Sequence, residues 1–374
     1  MTASLIGQDP HIVIDVRMAR VSGIGTYIEE VVPRVIARCP RARFTLLGDD
    51  GLLRSLIEPV ARVRYEPLGT PIYSLREQWA LRAAIPRDTS LFWAPHYNIP
   101  LLHGGPLAVT VHDTFHLVDA NLSRLKHAYA RVMFRAVIRR ARVVLCNSRF
   151  TAGELRRHAG EPRKLVVTPL GVSPRWFELR EPQQPPPTPY FLAVGNVKPH
   201  KNLGRLVQAF ARLGPDIRHR LVIVGRREGL IGSDTAVQSH AAGLGTRIEF
   251  TGHVDRADLE RWMLGCDALV HPSLYEGFGL PPLEALACGR AVAVSDAAAL
   301  PETCGPLARY FDPLDVDSMT NALRELVARP PDDASIREVR RSWARGLDWD
   351  TCARATALAL TEAAAGDRGE VLAW

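Results

Sequence analysis

The segment from Ser273 to Gly289, SLYEGFGLPPLEALACG, sets two carboxylates eight residues apart, Glu276 and Glu284. Between them lie the turn Gly277-Phe278-Gly279-Leu280 and the pair Pro281-Pro282. Prolines suit the first turn of a helix, where the N–H they lack would have no helical partner, and Gly289 suits its end. The glycines leave backbone N–H groups open to a ligand. A glycine turn that opens a helix is an anion site of the kind that takes a diphosphate. Carboxylates on either side of it can accept hydrogen bonds from sugar hydroxyls. An amphipathic helix with a capping glutamate is the plainer reading, but it gives no reason for two glutamates, two glycines and two prolines to coincide.

Other residues point to a partly basic ligand site. Gly195-Asn196-Val197-Lys198-Pro199-His200-Lys201-Asn202 follows an apolar run and leads into a helical pattern, and Lys198 and Lys201 are two of only four lysines in an arginine-dominated chain. A lysine in a strand-to-helix loop is a natural point charge for phosphate, although a solvated loop reads almost as well. His112-Asp113 closes the apolar run Leu107–Val111, at the strand end where α/β folds bind ligands; a bland polar pair reads equally well. His96 holds a similar position and is expected to pack. Gly23-Ile24-Gly25-Thr26-Tyr27-Ile28 opens a helical pattern, and Asp49 ends the next strand region. Ile28 occupies the third glycine position of a dinucleotide fingerprint, and Arg17–Ser22 separates strand from glycines, so Gly25 is expected in a glycine-rich turn beside some other substrate. Asp315-Val316-Asp317 precedes a helical run and is better explained by capping than by metal binding.

These residues need two scaffolds. At 374 residues, 47% hydrophobic and 23% charged, the chain fits two globular domains and excludes a peptide, a disordered chain and a coiled coil. No apolar run reaches membrane-helix length, and residues 1–9 lack the pattern of a secretory signal. The six scattered cysteines read as buried thiols in a reducing cytosol. Residues 181–189, EPQQPPPTP, are too proline-rich for a helix or inner strand and read as a linker. Short apolar runs at 11–16, 43–47, 90–93, 107–111, 143–146 and 165–168 precede it, and runs at 191–194, 221–224, 248–250, 268–271 and 291–295 follow, alternating with helical patterns. That rhythm predicts parallel sheets covered on both faces, an α/β fold of two doubly wound domains facing a cleft. The expected division is 1–180, linker 181–189, 190–342, and a terminal helical stretch 343–374 crossing back to the first domain. Through Arg180 the chain has 26 Lys+Arg against 15 Asp+Glu, so the first half is basic, which points to an anionic partner: nucleic acid, a membrane surface or a phosphorylated substrate. Nucleic acid is disfavoured because no reading motif accompanies the charge. In the helical pattern 121–142, Arg124, Arg131, Arg135, Arg139 and Arg142 share a face, with Leu125, Val132, Met133 and Ala136 on or near another. Such a helix rests on an anionic bilayer or packs on the sheet with a solvated basic face.

The chain resembles the retaining nucleotide-sugar glycosyltransferases of family four, which have the GT-B fold of two Rossmann-like domains. The resemblance runs through Gly23–Tyr27, His112-Asp113, Asn147-Ser148, Gly171-Val172, Lys198–Asn202, Val224-Gly225, Thr251-Gly252-His253-Val254, the Glu-x7-Glu of Glu276 and Glu284, and Trp349-Asp350. It implies that Glu284 holds the ribose hydroxyls, Glu276 the donor sugar, and the Gly277, Phe278, Gly279 and Leu280 backbone with Lys201 the diphosphate. His112 would contact the sugar near the reacting carbon, while Gly25, Lys198 and Val254 complete the donor site. Asn196 stands where many members carry an arginine, a charge that Lys198 or His200 would supply. The implied activity is front-face hexosyl transfer, with mannose from GDP-mannose the first expectation, to a lipid-linked or polysaccharide acceptor. It needs no metal and no cofactor beyond the sugar nucleotide, and it would occur in the cytoplasm or peripherally at the inner face of the membrane. A non-catalytic nucleotide-sugar-binding or regulatory protein, or a sugar-nucleotide epimerase, are the rival readings.

Overall fold

The computed structural model describes residues 9–19, 22–51, 56–57, 61–180, 186–226, 241, 243–329 and 333–366. Strands in chain order are β1 (His11–Asp15), β2 (Arg43–Gly48), β3 (Val63–Pro67), β4 (Leu91–Ala94), β5 (Leu107–Val111), β6 (Ala141–Cys146) and β7 (Leu165–Val167). After them come β8 (Tyr190–Val194), β9 (Arg220–Val224), β10 (Ile248–Gly252), β11 (Ala268–His271), β12 (Ala291–Ser295) and β13 (Ala308–Phe311). The longer helices are α1 (Ser22–Arg38), α2 (Leu75–Ala84), α3 (Arg124–Arg140), α4 (Arg149–Ala159), α5 (Leu203–Ala211) and α6 (Arg256–Gly265). They continue with α7 (Leu280–Ala287), α8 (Val316–Ala328), α9 (Ala334–Arg345) and α10 (Trp349–Ala365).

The chain forms two compact units, residues 1–170 with 349–374, and 171–348. The first holds a seven-stranded sheet in the order β3-β2-β1-β4-β5-β6-β7, the second a six-stranded sheet in the order β10-β9-β8-β11-β12-β13. Every strand pair is parallel. In each sheet the order reverses beside the first strand of the unit, the switch point at which doubly wound sheets open a crevice at the strand C-terminal ends. Inner strands such as β5 and β12 are buried along their whole length, which is why they read as mainly apolar runs.

The division between units falls at Leu170/Gly171, ten residues before the expected boundary at Arg180. The short helix Arg175–Glu178 packs in the second unit through Trp176, which is 2% exposed, so apolar burial rather than proline content sets the border. Residues 181–185 of the expected linker lie outside the described residues. At the other end the crossing is at Asp348/Trp349, not at residue 343: Trp343 lies in the last turn of α9, which belongs to the second unit. The helix that crosses back is α10. It lies against α1, and Asp350 pairs with Arg34 and Arg38 at 3.1 Å each.

α3 divides its apolar residues differently from expectation. Ala130, Met133, Phe134 and Val137 are buried in the sheet-side core, whereas Leu125 and Val132 are 82% and 54% exposed, on the solvent side with Arg124, Arg131, Arg135 and Arg139. Arg142 is not on the helix. It lies in β6 and donates to the carbonyl of Ala363 at 2.7 Å. All six cysteines are buried free thiols.

Candidate active site

In the second unit β8 ends at Val194, and the chain turns at Gly195 through a short 3-10 turn, Pro199–Lys201, into α5. Asn202 makes this turn possible. It sits in the left-handed region (φ 56°), which asparagine tolerates better than most residues, and its buried side-chain amide donates to the carbonyls of Pro272 (3.0 Å) and Pro313 (2.7 Å). The Leu274 N–H adds a 2.8 Å bond to the His200 carbonyl. Together these ties lock the lysine loop to the chain leaving β11. Close backbone contact locks it from the other side, since a Cβ on Gly225 would fall 2.0 Å from the Gly195 carbonyl oxygen.

The locked loops bring Lys201 and Glu276 together, with Nζ 2.5 Å from Oε1. His271, the last residue of β11, approaches the same carboxylate oxygen through Nε2 at 2.8 Å, and Ser273 Oγ lies 3.2 Å from that nitrogen. Burial alone would raise the Glu276 pKa. The Lys201 charge and the His271 hydrogen bond outweigh it and hold the carboxyl well below the usual carboxylate range. Glu276 is therefore a fixed anion, able to accept hydroxyl hydrogen bonds. Lys201, with three donors, can bridge Glu276 and a second anion at once.

The turn after Glu276 ends at Gly279, whose φ of 104° is one that glycine adopts freely, and α7 begins at Leu280. The Phe278 ring is buried, and its carbonyl accepts from Thr303 Oγ1 at 2.6 Å. With Pro281 and Pro282 carrying no N–H, the donors left at the start of α7 are those of Phe278, Gly279 and Leu280. One turn on, Glu284 faces a different environment. Burial raises its pKa to about 7, against the pull of Arg175, Trp176 and Arg256, and Glu260 adds to the rise. The two glutamates thus differ in charge near neutrality, one a permanent anion and the other poised. Val254 is half-buried just before α6, the helix that carries Arg256 and Glu260. Lys198 is exposed, without an ion-pair partner among the described residues.

His112 belongs to the first unit, just past β5. Its Nε2 donates to the Pro95 carbonyl at 2.9 Å, and the Tyr27 ring meets it edge-on at 4.8 Å. Burial lowers its pKa to about 4 despite the Pro95 bond and Asp113. The ring is neutral at physiological pH, with Nδ1 left as an acceptor. Gly25 is not in a loop as the sequence implied: α1 starts at Ser22, and Gly25 is buried within its first turn. Tyr27, from the same motif, lies in the next turn of α1 and braces the His112 ring. His96 packs as expected, buried 3.3 Å from Asp15. Asp315 caps α8 by accepting from the Asp317 N–H at 2.8 Å.

Sequence reasoning missed His271, and it named Asn202 and Tyr27 only within their motifs, without a role for either. A polar residue closing a buried strand was the available signal for the first, and an asparagine at a strand-to-helix turn for the second. Tyr27 has no signal of its own beyond its motif.

The family described as Glycosyltransferase Family 4 matches residues 21–176, and Glycosyl transferases group 1 matches residues 174–343. The O-antigen chain mannosyltransferase B of Escherichia coli is 30% identical over 325 residues, 79% of this chain and 81% of its own length. The fold matches that of WaaG, a glycosyltransferase involved in lipopolysaccharide biosynthesis, with a TM-score of 0.70 at 15% identity over 94% of this chain and 99% of that one. It also matches Anabaena HepE in complex with UDP and glucose, with a TM-score of 0.68 at 20% identity over 94% of this chain and 99% of that one. Two doubly wound parallel sheets, a Glu-x7-Glu helix start fixed to a lysine loop, and matches that run from residue 21 to residue 343 make this chain a member of glycosyltransferase family four, with the GT-B fold.

Proposed function

We propose that this enzyme transfers mannose from GDP-mannose, with retention of configuration and without a metal ion, to a growing surface-glycan acceptor carried on a membrane lipid. The observation that carries the reading is the Lys201–Glu276–His271 cluster beside the Gly279–Leu280 turn. It offers a fixed anion for sugar hydroxyls and a cation with spare donors for the leaving diphosphate. The mannose assignment draws on the name of the E. coli relative, and a nucleotide donor is consistent with UDP in the HepE structure.

In the proposed step, the bond from the anomeric carbon to the β-phosphate oxygen breaks, and the acceptor oxygen bonds that carbon on the same face. The acceptor proton passes to the departing phosphate. Negative charge accumulates on the diphosphate, where Lys201 and the Phe278, Gly279 and Leu280 N–H groups stabilise it. Glu284 accepts from the ribose hydroxyls.

The acceptor's lipid carrier suggests peripheral association at the inner face of the membrane. α3 has no acidic residue, and it exposes Leu125 and Val132 among its arginines. α2 adds Leu75 and Trp79, 88% and 69% exposed, and its one acid, Glu77, is buried. No helix among the described residues is long and apolar enough to cross a membrane.

The test is a panel of nucleotide sugars, with and without a lipid-linked acceptor and with and without chelator. Diphosphate release from GDP-mannose and an α-linked product, both unaffected by chelator, are expected. Binding without turnover of any donor would favour the non-catalytic reading, and strict dependence on added Mn²⁺ or Mg²⁺ would end the metal-independent one.

A further inference from the structure

The first unit contains a polar network that the donor chemistry does not use. At the C-terminal ends of β1 and β4, Arg17 pairs with Asp15 and Glu77 at 2.6 Å each, and the three side chains are 4%, 1% and 0% exposed. Asn98 Nδ2 donates to both Glu77 oxygens at 2.8 Å, and its Oδ1 accepts from the Tyr129 hydroxyl. Burying so many charges is costly, and it is tolerated only where every partner is fixed. What the network fixes is the loop before α2. Arg17 donates to the Thr70 carbonyl at 3.1 Å, and Glu77 Oε2 accepts from the Tyr73 N–H at 2.8 Å.

Tyr73 has a φ of 66°, a left-handed conformation unfavourable for a bulky residue, and the residue is left 46% exposed. Folding alone gives no reason to hold an exposed tyrosine in this way. Backbone strain sustained by a surrounding network is characteristic of ligand sites. Behind Tyr73 stand Tyr97 and Tyr129, with ring centroids 6.1 and 6.2 Å away. Tyr97 is itself fixed, stacked on Phe134 at 4.6 Å and bonded through its hydroxyl to His116 Nδ1 at 2.8 Å. His116 lies four residues past His112, on the short helix Phe115–Val118. The cluster therefore belongs to the same strand-end region as His112 and Asp113.

We propose that Tyr73, backed by Tyr97 and Tyr129, is the stacking face for the acceptor saccharide, and that Glu77 is the positioning residue that presents it. A pyranose turns weakly positive C–H bonds outward on one face, and these suit the negative face of an aromatic ring. Its hydroxyls remain free for polar groups such as His116 and Asp113. A neutral saccharide fits better than an anion because the phenol rings offer no positive charge to hold one, and the Asp113 charge, which reaches both Tyr73 and Tyr97, would repel it. This inference rests on the glycosyl-transfer reading for its ligand class.

Three variants test it, with α-linked mannobiose as the acceptor probe. Tyr73→Ala should raise the acceptor KM at least tenfold while donor KM and acceptor-independent release of diphosphate stay unchanged. Tyr73→Gly should do the same and raise Tm, because glycine occupies this conformation without strain; Tyr73→Phe should preserve both binding and rate. Ligand-observed NMR of mannobiose, which needs no donor, should show binding to the wild type and loss of it in Tyr73→Ala. Unchanged mannobiose binding and acceptor KM in the alanine and glycine variants, or no mannobiose binding to the wild type, would overturn the site. If mannobiose binds through Tyr73 but no nucleotide sugar turns over, the site stands and the transferase reading falls.

Discussion

Lys201 has two tasks that separate on mutation. In the unliganded protein it neutralises Glu276, and in the proposed transition state it meets charge that grows as the diphosphate leaves. An interaction that strengthens toward the transition state appears in kcat more than in KM. Lys201→Ala is therefore expected to lower kcat by ~10²–10³-fold with little change in donor KM, measured under saturating donor. Near-normal turnover would transfer the role to Lys198 or the backbone donors. Glu284 behaves differently because its pKa is raised from 4.5 to about 7. Between those values the folded chain retains a proton that the unfolded chain has lost, so stability falls as pH rises through the window. Glu284→Gln should remove that slope and stabilise the free protein at pH 8 by on the order of 2–3 kcal/mol, while raising donor KM. Thermal melts from pH 4.5 to 8 with the same slope in both proteins would contradict this.

Among the elements, α7 is positioned by its first turn. A Cβ at Gly279 would lie 2.6 Å from Leu300 Cδ2, at a φ of 104°. Gly279→Ala is expected to cost about 1–3 kcal/mol, lower Tm by roughly 2–8 °C and raise donor KM as the Leu280 N–H shifts; an unchanged melt would show that the turn relaxes freely. The sequence made most inner strands legible, because strands buried on both faces are mostly apolar, with few polar residues such as Thr110 and Ser295, themselves buried. It did not reveal β3 and β13, each at one edge of its sheet, whose VRYEP and ARYF mix polar and apolar positions as half-exposed strands do; β7 and β10, at the opposite edges, keep short apolar runs and were legible. The same limit applies to the site. Glu276, Glu284 and Lys201 stand in local motifs, but the contact of Lys201 with a carboxylate 75 residues away is made by Asn202 bridging two loops, and no local pattern encodes it. Gly25 misled for a related reason, since glycines near a helix start fit a loop or a first turn equally well.

For the molecule as a whole, the charge imbalance becomes a prediction about location. Each arginine held near an anionic surface contributes about 1 kcal/mol, and salt weakens the attraction. The protein should co-sediment with phosphatidylglycerol vesicles at low salt and not with phosphatidylcholine vesicles, and Arg131→Glu combined with Arg135→Glu should release it. Equal sedimentation with both lipids would leave α3 an ordinary solvated basic face. The path of the chain has a separate consequence. Residues 171–348 form an uninterrupted unit, but the first unit depends on α10, whose Cys352, Leu360 and Thr361 are buried and whose Thr361 lies 3.8 Å from Cys39 at the end of α1. During synthesis the ribosome delivers the whole second unit before the helix that completes the first. The amino-terminal half must wait, with one flank of α1 uncovered, so a ribosome that stalls before Trp349 releases a product with one finished unit and one open to chaperones and proteases.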